Sequence, residues 1–299
     1  MADHPVSDPE RSSVRSLLGG DERYGCAVVD PTELVVTTSL KASQTVSDLA
    51  MAKADDWGLS YVDRSGQSMD TIVDDGRSAA VFTSSGLHIA TPSGRLHSHL
   101  GTAHIRLHSL RRGDGDPLVR AAELRPGDQV LDTTYGLGRD SVVAAHAVGP
   151  TGSVLGLESS AALFHLSDES PPLGFAGLLP APIQLVRADA RRWLESAESA
   201  SVDVVLVDPM FKRPKAADAG FDLLRWVADE TPLDREWIEH ARRVARRCVV
   251  LKSGEALPWF GDEELQRVRS HSNAALFCAP SSADPPSTAE SSRGCNSES

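Results

Sequence analysis

The stretch Asp132-Thr-Thr-Tyr-Gly136-Leu-Gly138-Arg139-Asp140 constrains the fold of this chain more than any other. It follows Gln129-Val-Leu131, a short apolar run set off by Pro126-Gly127-Asp128, and leads into the helix-compatible Ser141-Val-Val-Ala-Ala-His146-Ala-Val148. An apolar strand ending in an acid, then a glycine turn, then a helix, is how doubly wound α/β domains hold an adenosine-containing ligand. The glycines let the backbone approach the ligand, and the first helical amides point at it. The functional site is therefore expected at the carboxyl end of this strand.

The alternation continues downstream. Apolar runs at 154–157, 183–186, 202–207 and 248–251 read as strands, and helix-compatible sequence follows each except the last. Val202-Asp-Val-Val-Leu-Val207 is almost wholly apolar, as a central strand buried on both faces should be. Residues 265–269 and 274–278, parted by His271-Ser-Asn273, read as a closing antiparallel hairpin. The expected fold over 113–279 is thus α/β and Rossmann-like, a mostly parallel doubly wound sheet closed by that hairpin. Upstream, 26–112 reads as a small α+β domain with strands at 34–38, 59–62, 79–82 and 87–90 and helices at 44–56 and 69–73. Residues 1–25 and the Ser/Pro-rich 280–299 are expected to be disordered.

A length of 299 residues, 40% hydrophobic, suffices for a sizeable core. Cys26, Cys248, Cys278 and Cys295 form no Cys-x-x-Cys pair, so neither a disulfide framework nor a cysteine zinc site is indicated, and a reducing cytoplasm is the expected setting. No apolar run approaches the roughly 20 residues of a membrane span, and the polar opening lacks the regions of a signal peptide, so no membrane association is expected. The net charge of -12 argues against a general nucleic-acid binder, because phosphate affinity comes from lysine and arginine. Its distribution is uneven. Residues 95–112 carry Arg95, Arg106, Arg111, Arg112 and four histidines with no acid, and Lys212-Arg213-Pro-Lys215 and Arg242-Arg243-Val-Ala-Arg246-Arg247 are further basic clusters. These are either solvated faces or substrate contacts. His97 and His99 alternate like a strand face while His104 and His108 have helical spacing, so no metal site is expected from them.

Four acids, Asp132, Glu158, Asp189 and Asp208, follow four successive strands. In a parallel sheet those ends share one edge, where ligands bind at the switch in strand order. The set suits S-adenosylmethionine: Asp132 toward its amino-acid or sulfonium end, Glu158 on the ribose hydroxyls, Asp189 on the adenine amine, and Asp208 where the methyl group leaves. Any one acid alone serves equally well as a helix N-cap. A nicotinamide-dependent dehydrogenase is the competing reading, since Glu158 lies about as far from the glycine turn as a ribose-binding acid should. Its Gly-x-Gly-x-x-Gly fingerprint, however, would put glycine where Ser141 stands. Asp208 and the Pro209 carbonyl suit acceptance of N–H hydrogens from an acceptor amine, with Phe211 either stacking on a flipped base or packing in the core. Lys252 either pairs with a strand-end acid or faces the cleft.

Val130-Leu-Asp-Thr-Thr-Tyr-Gly-Leu-Gly-Arg-Asp140, Gly156-Leu-Glu-Ser159, Asp208-Pro-Met-Phe211 and Val249-Val-Leu-Lys252 together resemble the ribosomal small-subunit methyltransferase J family and its relatives, over roughly 33 to 278. The resemblance implies methyl transfer from S-adenosylmethionine to the exocyclic N2 of a guanosine in small-subunit rRNA, with that rRNA or the ribosomal subunit as partner. It places cofactor contacts on Arg139, Asp140, Glu158, Ser159, Asp189, Ala190 and Asp208, beside Asp132, Gly136 and Gly138 of the glycine loop. Ser159 stands where the family carries arginine, and Lys212-Arg-Pro-Lys-Ala-Ala-Asp-Ala-Gly220 is less basic than the family's stretch. Two alternatives stay open: a methyltransferase for a small molecule or protein, in keeping with the acidic charge, or a cofactor-binding scaffold without catalysis.

Overall fold

The structure, a computed structural model, describes residues 33–74, 76–99, 101–170, 180–209, 219–253, 266–268 and 275–282. Phe211, the basic cluster 212–215, the hairpin turn 271–273 and the segment 1–25 lie outside the described residues.

The first elements build a four-stranded sheet. The β-branched run in β1 (Glu33–Thr38) fits a pleated surface and is buried from Leu34 onward. β1 pairs in parallel with β2 (Arg77–Thr83), and β3 (Gly86–Thr91) and β4 (Gly94–Leu96) follow as antiparallel hairpins. A parallel pair needs a crossover, here α1 (Gln44–Trp57) and the one-turn α2 (Met69–Ile72). α1 starts where Ser43 Oγ accepts the Val46 amide and stops at Gly58, whose φ of 66° allows the left-handed cap. The strand expected at 59–62 is reduced to one bridge, Tyr61 against Val36. Asp63 ends the pairing: its carboxylate accepts the Ser65 amide in a tight turn where Ser65 has φ 43°.

After α3 (Thr102–Arg111) and α4 (Pro117–Ala121) comes the alternating region. It comprises β5 (Gln129–Asp132), α5 (Arg139–Val148), β6 (Ser153–Glu158), α6 (Ala161–Glu169), β7 (Ile183–Arg187), α7 (Ala190–Ser196) and β8 (Val202–Val207). α8 (Ala219–Val227), α9 (Arg235–Val244), β9 (Ala245–Ser253), β10 (Gln266–Val268) and β11 (Ala275–Pro280) complete it. The seven-stranded sheet has the order β10-β11-β9-β8-β5-β6-β7; β5 to β9 run parallel, and β11 is antiparallel to both its neighbours. This is the expected Rossmann-like sheet closed by a hairpin. Its last strand runs on to Pro280, where disorder was expected, because the next two residues stay tied: the Ser281 amide donates to the Arg247 carbonyl and the Ser282 amide to that of Arg242.

Strand periodicity distributes the core. Val204 and Leu206 face Leu107, Leu118 and Val142 of α3, α4 and α5, whereas Val205 and Val207 face Trp193, Leu194 and Ile238 of α7 and α9. Each such side chain contributes roughly 1.5–3 kcal/mol by burial. A third cluster joins the sheets: Val36, Phe82 and Ile89 pack on Leu163 and Leu166, so α6 lies between the small sheet and the large one. Trp57 stacks on His165 at 4.0 Å, and burial pushes that imidazole down to about 4, so the stack is neutral at pH 7. The order reverses at β5, which has β6 on one side and β8 on the other, and this switch point at the carboxyl ends of the strands is where a ligand cleft forms in such sheets. Among the described residues, no helix is long and apolar enough to cross a membrane.

Candidate active site at the carboxyl edge of the large sheet

The loop after β5 is clipped to the end of β8. Thr133 donates its amide and its hydroxyl to the Leu206 carbonyl at 3.0 and 2.8 Å, and Thr134 Oγ1 accepts the Asp208 amide at 2.7 Å. Asp132 works inside this loop, accepting from the Thr134 amide at 3.1 Å and from Ser141 Oγ at 2.6 Å. It is buried, which pushes its carboxyl up to about 7, and it lies behind the cleft wall. Ser141, where the dehydrogenase fingerprint would have glycine, thus holds an acid.

Gly138 also serves the loop. With φ at +71° it leaves room for Tyr135: a Cβ at Gly138 would lie 2.5 Å from the tyrosine hydroxyl, and one at Gly156 on β6 only 2.2 Å from Cδ2 of the same ring. Tyr135 is buried, so the ring has little space to yield. Gly156→Ala is expected to cost about 1–3 kcal/mol in urea unfolding through overpacking, and Tyr135→Ala in the same chain should return part of that loss.

The cleft opens to solvent and holds about 680 Å³ of empty space with its mouth included. Of the residues singled out in the sequence, Gly136, Glu158, Ser159, Asp189, Ala190, Asp208 and Pro209 line it; Asp132, Gly138, Arg139 and Asp140 do not. Glu158 sits at its base, with Oε2 accepting the Gly136 amide at 2.8 Å and Oε1 the Ser160 amide at 2.9 Å. Burial pushes its carboxyl up to about 7. Asp189 caps α7, its Oδ1 accepting the amides of Arg191 and Arg192, so the N-cap role and the place in the cleft coexist. Thr133, Thr134, Leu224, Asp229, Thr231 and Trp237 are also in the wall and were not foreseen. Ser159 Oγ donates to Asp229 at 3.3 Å, and the Arg191 guanidinium lies 5.1 Å from the Trp237 ring centre.

Arg139 and Asp140 lie outside the lining of this pocket. Arg139 Nη2 lies 3.5 Å from Nδ1 of His99. Asp140 joins a chain of alternating charges: Asp116, which caps α4, takes a two-pronged bond from Arg106 at 2.8 and 3.0 Å, and Arg106 also bonds Asp140. Lys252 Nζ then lies 3.6 Å from Asp140 and 2.5 Å from Oδ2 of Asp208. Burial raises the Asp140 carboxyl, but Lys252 and Arg106 outweigh it and hold the group below its ordinary value. Burial raises Asp208 and dominates there, with Lys252 opposing it. His104 and His108 lie on α3, while His97 follows β4 with its ring 5.0 Å from that of His88. Among the described residues, no three His, Cys, Asp or Glu side chains converge as a metal-holding group.

The family described as "Putative SAM-dependent methyltransferase" matches residues 97–274, which span both the cleft and the charged chain. The chain belongs to this family of S-adenosylmethionine-dependent methyltransferases. An uncharacterized protein of Bacillus subtilis, YpiP, is 33% identical over 233 residues, covering 76% of this chain and 91% of that protein. Ribosomal RNA small subunit methyltransferase J of Laribacter hongkongensis is 38% identical over 152 residues, 47% of this chain and 52% of that enzyme, so the match spans about half the length of that relative. A SAM-dependent methyltransferase of Neisseria gonorrhoeae shares the fold, with a TM-score of 0.55 and 19% identity, over 83% of this chain and 97% of that one. The cofactor of this methyltransferase is S-adenosylmethionine, and the cleft lining includes an acid, Glu158, and an aromatic face, Trp237, of the kinds a nucleoside can use.

Proposed function

We propose that this methyltransferase modifies the exocyclic N2 amine of a guanosine in small-subunit rRNA, with Asp208 and Pro209 receiving the amine. The observation that carries the reading is the place of Asp208: it ends β8 on the cleft shared with Glu158, its side chain keeps 28% exposure, and among the described residues Oδ1 accepts no hydrogen bond. In this reading Glu158 holds the ribose hydroxyls, Asp189 takes the adenine amine, and Gly136, Ser159 and Ala190 complete the nucleoside site. Bound there, S-adenosylmethionine supplies an activated methyl group whose C–S electron pair stays with sulfur. Asp208 Oδ1 and the Pro209 carbonyl accept the two N–H hydrogens of the acceptor, which favours the pyramidal nitrogen whose lone pair can attack. As the C–N bond forms the nitrogen becomes cationic beside a carboxylate, then gives one proton to Oδ1, from which it passes to water. Phe211, outside the described residues, retains its proposed role of stacking on the base.

Two features support an RNA acceptor. One is the similarity to methyltransferase J of Laribacter hongkongensis. The other is the acid-free stretch 95–112, which begins one residue after Gly94, itself set against Leu223 of α8 next to the cleft residue Leu224. Arg95, His97, His99, His104, His108, Arg111 and Arg112 are exposed along it. An rRNA acceptor puts the enzyme in the cytoplasm. The charge of -12 favours the second reading, a small-molecule or protein acceptor. Labelled methyl transfer to small ribosomal subunits and naked rRNA from cells lacking this protein separates them. Label in rRNA that falls steeply with salt is the expected outcome; label only in small molecules or proteins overturns the reading.

Glu158 gives the proposal a pH signature. Its ionised form accepts best from the two ribose hydroxyls, and burial pushes its pKa up to about 7. Affinity for S-adenosylmethionine is expected to strengthen about tenfold from pH 6 to pH 8, as isothermal titration would show, and Glu158→Gln should bind weakly and flatten the dependence.

A further inference from the structure

We propose that Lys252 is a positioning residue for methyl transfer: its ammonium clamps Oδ2 of Asp208, so that Oδ1 is the oxygen presented to the acceptor amine. The inference rests on the proposed role of Asp208 and goes beyond it, because Lys252 lies outside the cleft wall and touches the acceptor site only through that carboxylate. Sheet register creates the clamp. Val207 of β8 is paired with Leu251 of β9, so the next residues along the parallel ladder, Asp208 and Lys252, emerge side by side at the carboxyl edge. Asp208 is then fixed at two points, its amide on Thr134 Oγ1 at 2.7 Å and its Oδ2 on Lys252 at 2.5 Å. A carboxylate held in this way has one oxygen left in one orientation, and holding the reacting groups in orientation is most of what transfer from an activated methyl donor needs.

Lys252 is itself held. Asp140 of α5 draws its ammonium from the other side at 3.6 Å, and Asp140 is anchored through Arg106 of α3 to Asp116. Three carboxylates alternate with two cations along this chain, so the end that meets the cleft keeps negative character toward a nitrogen that becomes cationic. The charged groups around Asp208 are Lys252 on β9, Asp140 on α5, Arg106 on α3 and Asp132 at the end of β5. Only the two cations favour its ionised form, and Lys252 is the nearer. Removing it leaves burial and two acids acting on Asp208 with Arg106 alone opposing them, so the carboxyl should take up its proton at higher pH.

The test uses the full chain as wild type, Lys252→Met and Lys252→Arg. For Lys252→Met, kcat is expected to fall about 10- to 100-fold while the Kd for S-adenosylmethionine stays within about twofold, and the acidic limb of the kcat profile to move up by about one pH unit or more. Lys252→Arg should restore most of the rate and the wild-type limb. Carbon-13 titration of aspartate carboxyls, with the Asp208 signal assigned from Asp208→Asn, reads the same shift without any acceptor. An unchanged Asp208 titration in Lys252→Met, or wild-type kcat with an unmoved limb, overturns the proposal. If Lys252→Met does not fold, the comparison of Lys252→Arg with wild type decides: a retained limb and rate support the clamp, and a lost rate with an unmoved Asp208 titration overturns it. Wild-type protein that methylates no rRNA would defeat the acceptor assignment, and the carboxyl titration would then decide the role of Lys252 by itself.

Discussion

Asp208→Asn is expected to lower kcat for methyl transfer by about 10²- to 10³-fold, while S-adenosylmethionine still binds. The substitution keeps the volume and leaves the backbone bond from residue 208 to Thr134 Oγ1 in place, so the loop should stay folded. What changes is the character of the two side-chain atoms. Lys252 has only hydrogens to offer and takes the amide oxygen, which turns the amide NH₂ toward the acceptor. Donor then meets donor, and no negative charge faces the developing cation. A single-turnover assay with saturating cofactor measures the loss, and titration of cofactor binding confirms that the site is intact.

The largest effect on stability should come from Arg106→Met. Arg106 is the hinge of the charged chain, reaching Asp116, whose side chain is 2% exposed, and Asp140, at 16%. Methionine fills similar space yet leaves both carboxylates without their shared partner, and breaking such a pair costs about 3–5 kcal/mol. Urea unfolding with an unchanged m-value checks the figure. The pH dependence has a definite sign. In the wild type the folded-state pKa of Asp140 is depressed, so its contribution is present above the ordinary carboxylate value and is lost as pH falls through the depressed one. Without Arg106 that contribution shrinks, and the gap between variant and wild type should be wide at pH 7, persist down to about pH 4, and close only below it.

The large sheet was legible because its strands are short apolar runs, each closed by an acid or a turn. The gathering of Glu158 and Asp208 at one edge followed from the rule that parallel strands share a carboxyl edge, whereas the strand order that makes them neighbours across β5 came only with the structure. The first acid behaved otherwise. Asp132 ends its strand as expected, but Ser141, in the first turn of α5, donates its hydroxyl to the buried carboxylate. Gly138 read as a place for ligand and holds the Tyr135 ring, a contact invisible in sequence because Gly156 lies on another strand. Trp237 reaches the cleft through the packing of α9 on β8 and β9, which no local pattern encodes. α3 was hidden for a local reason: it starts at Gly101 without a side-chain cap, and Arg95 to His99 just before it alternate like a strand. Lys252 was seen, but its partner followed only from the register of β8 on β9.

The central claim is that Asp208 presents a guanosine N2 amine for methylation, and nucleoside analysis tests it most directly. Small subunits and naked rRNA from cells lacking this protein would be incubated with the enzyme and S-adenosylmethionine, digested, and resolved by mass spectrometry. N2-methylguanosine is expected to appear with the wild type and to stay at background with Asp208→Asn. A methylated nucleoside of another kind, or none in the rRNA while a small molecule or protein gains the methyl group, would contradict it.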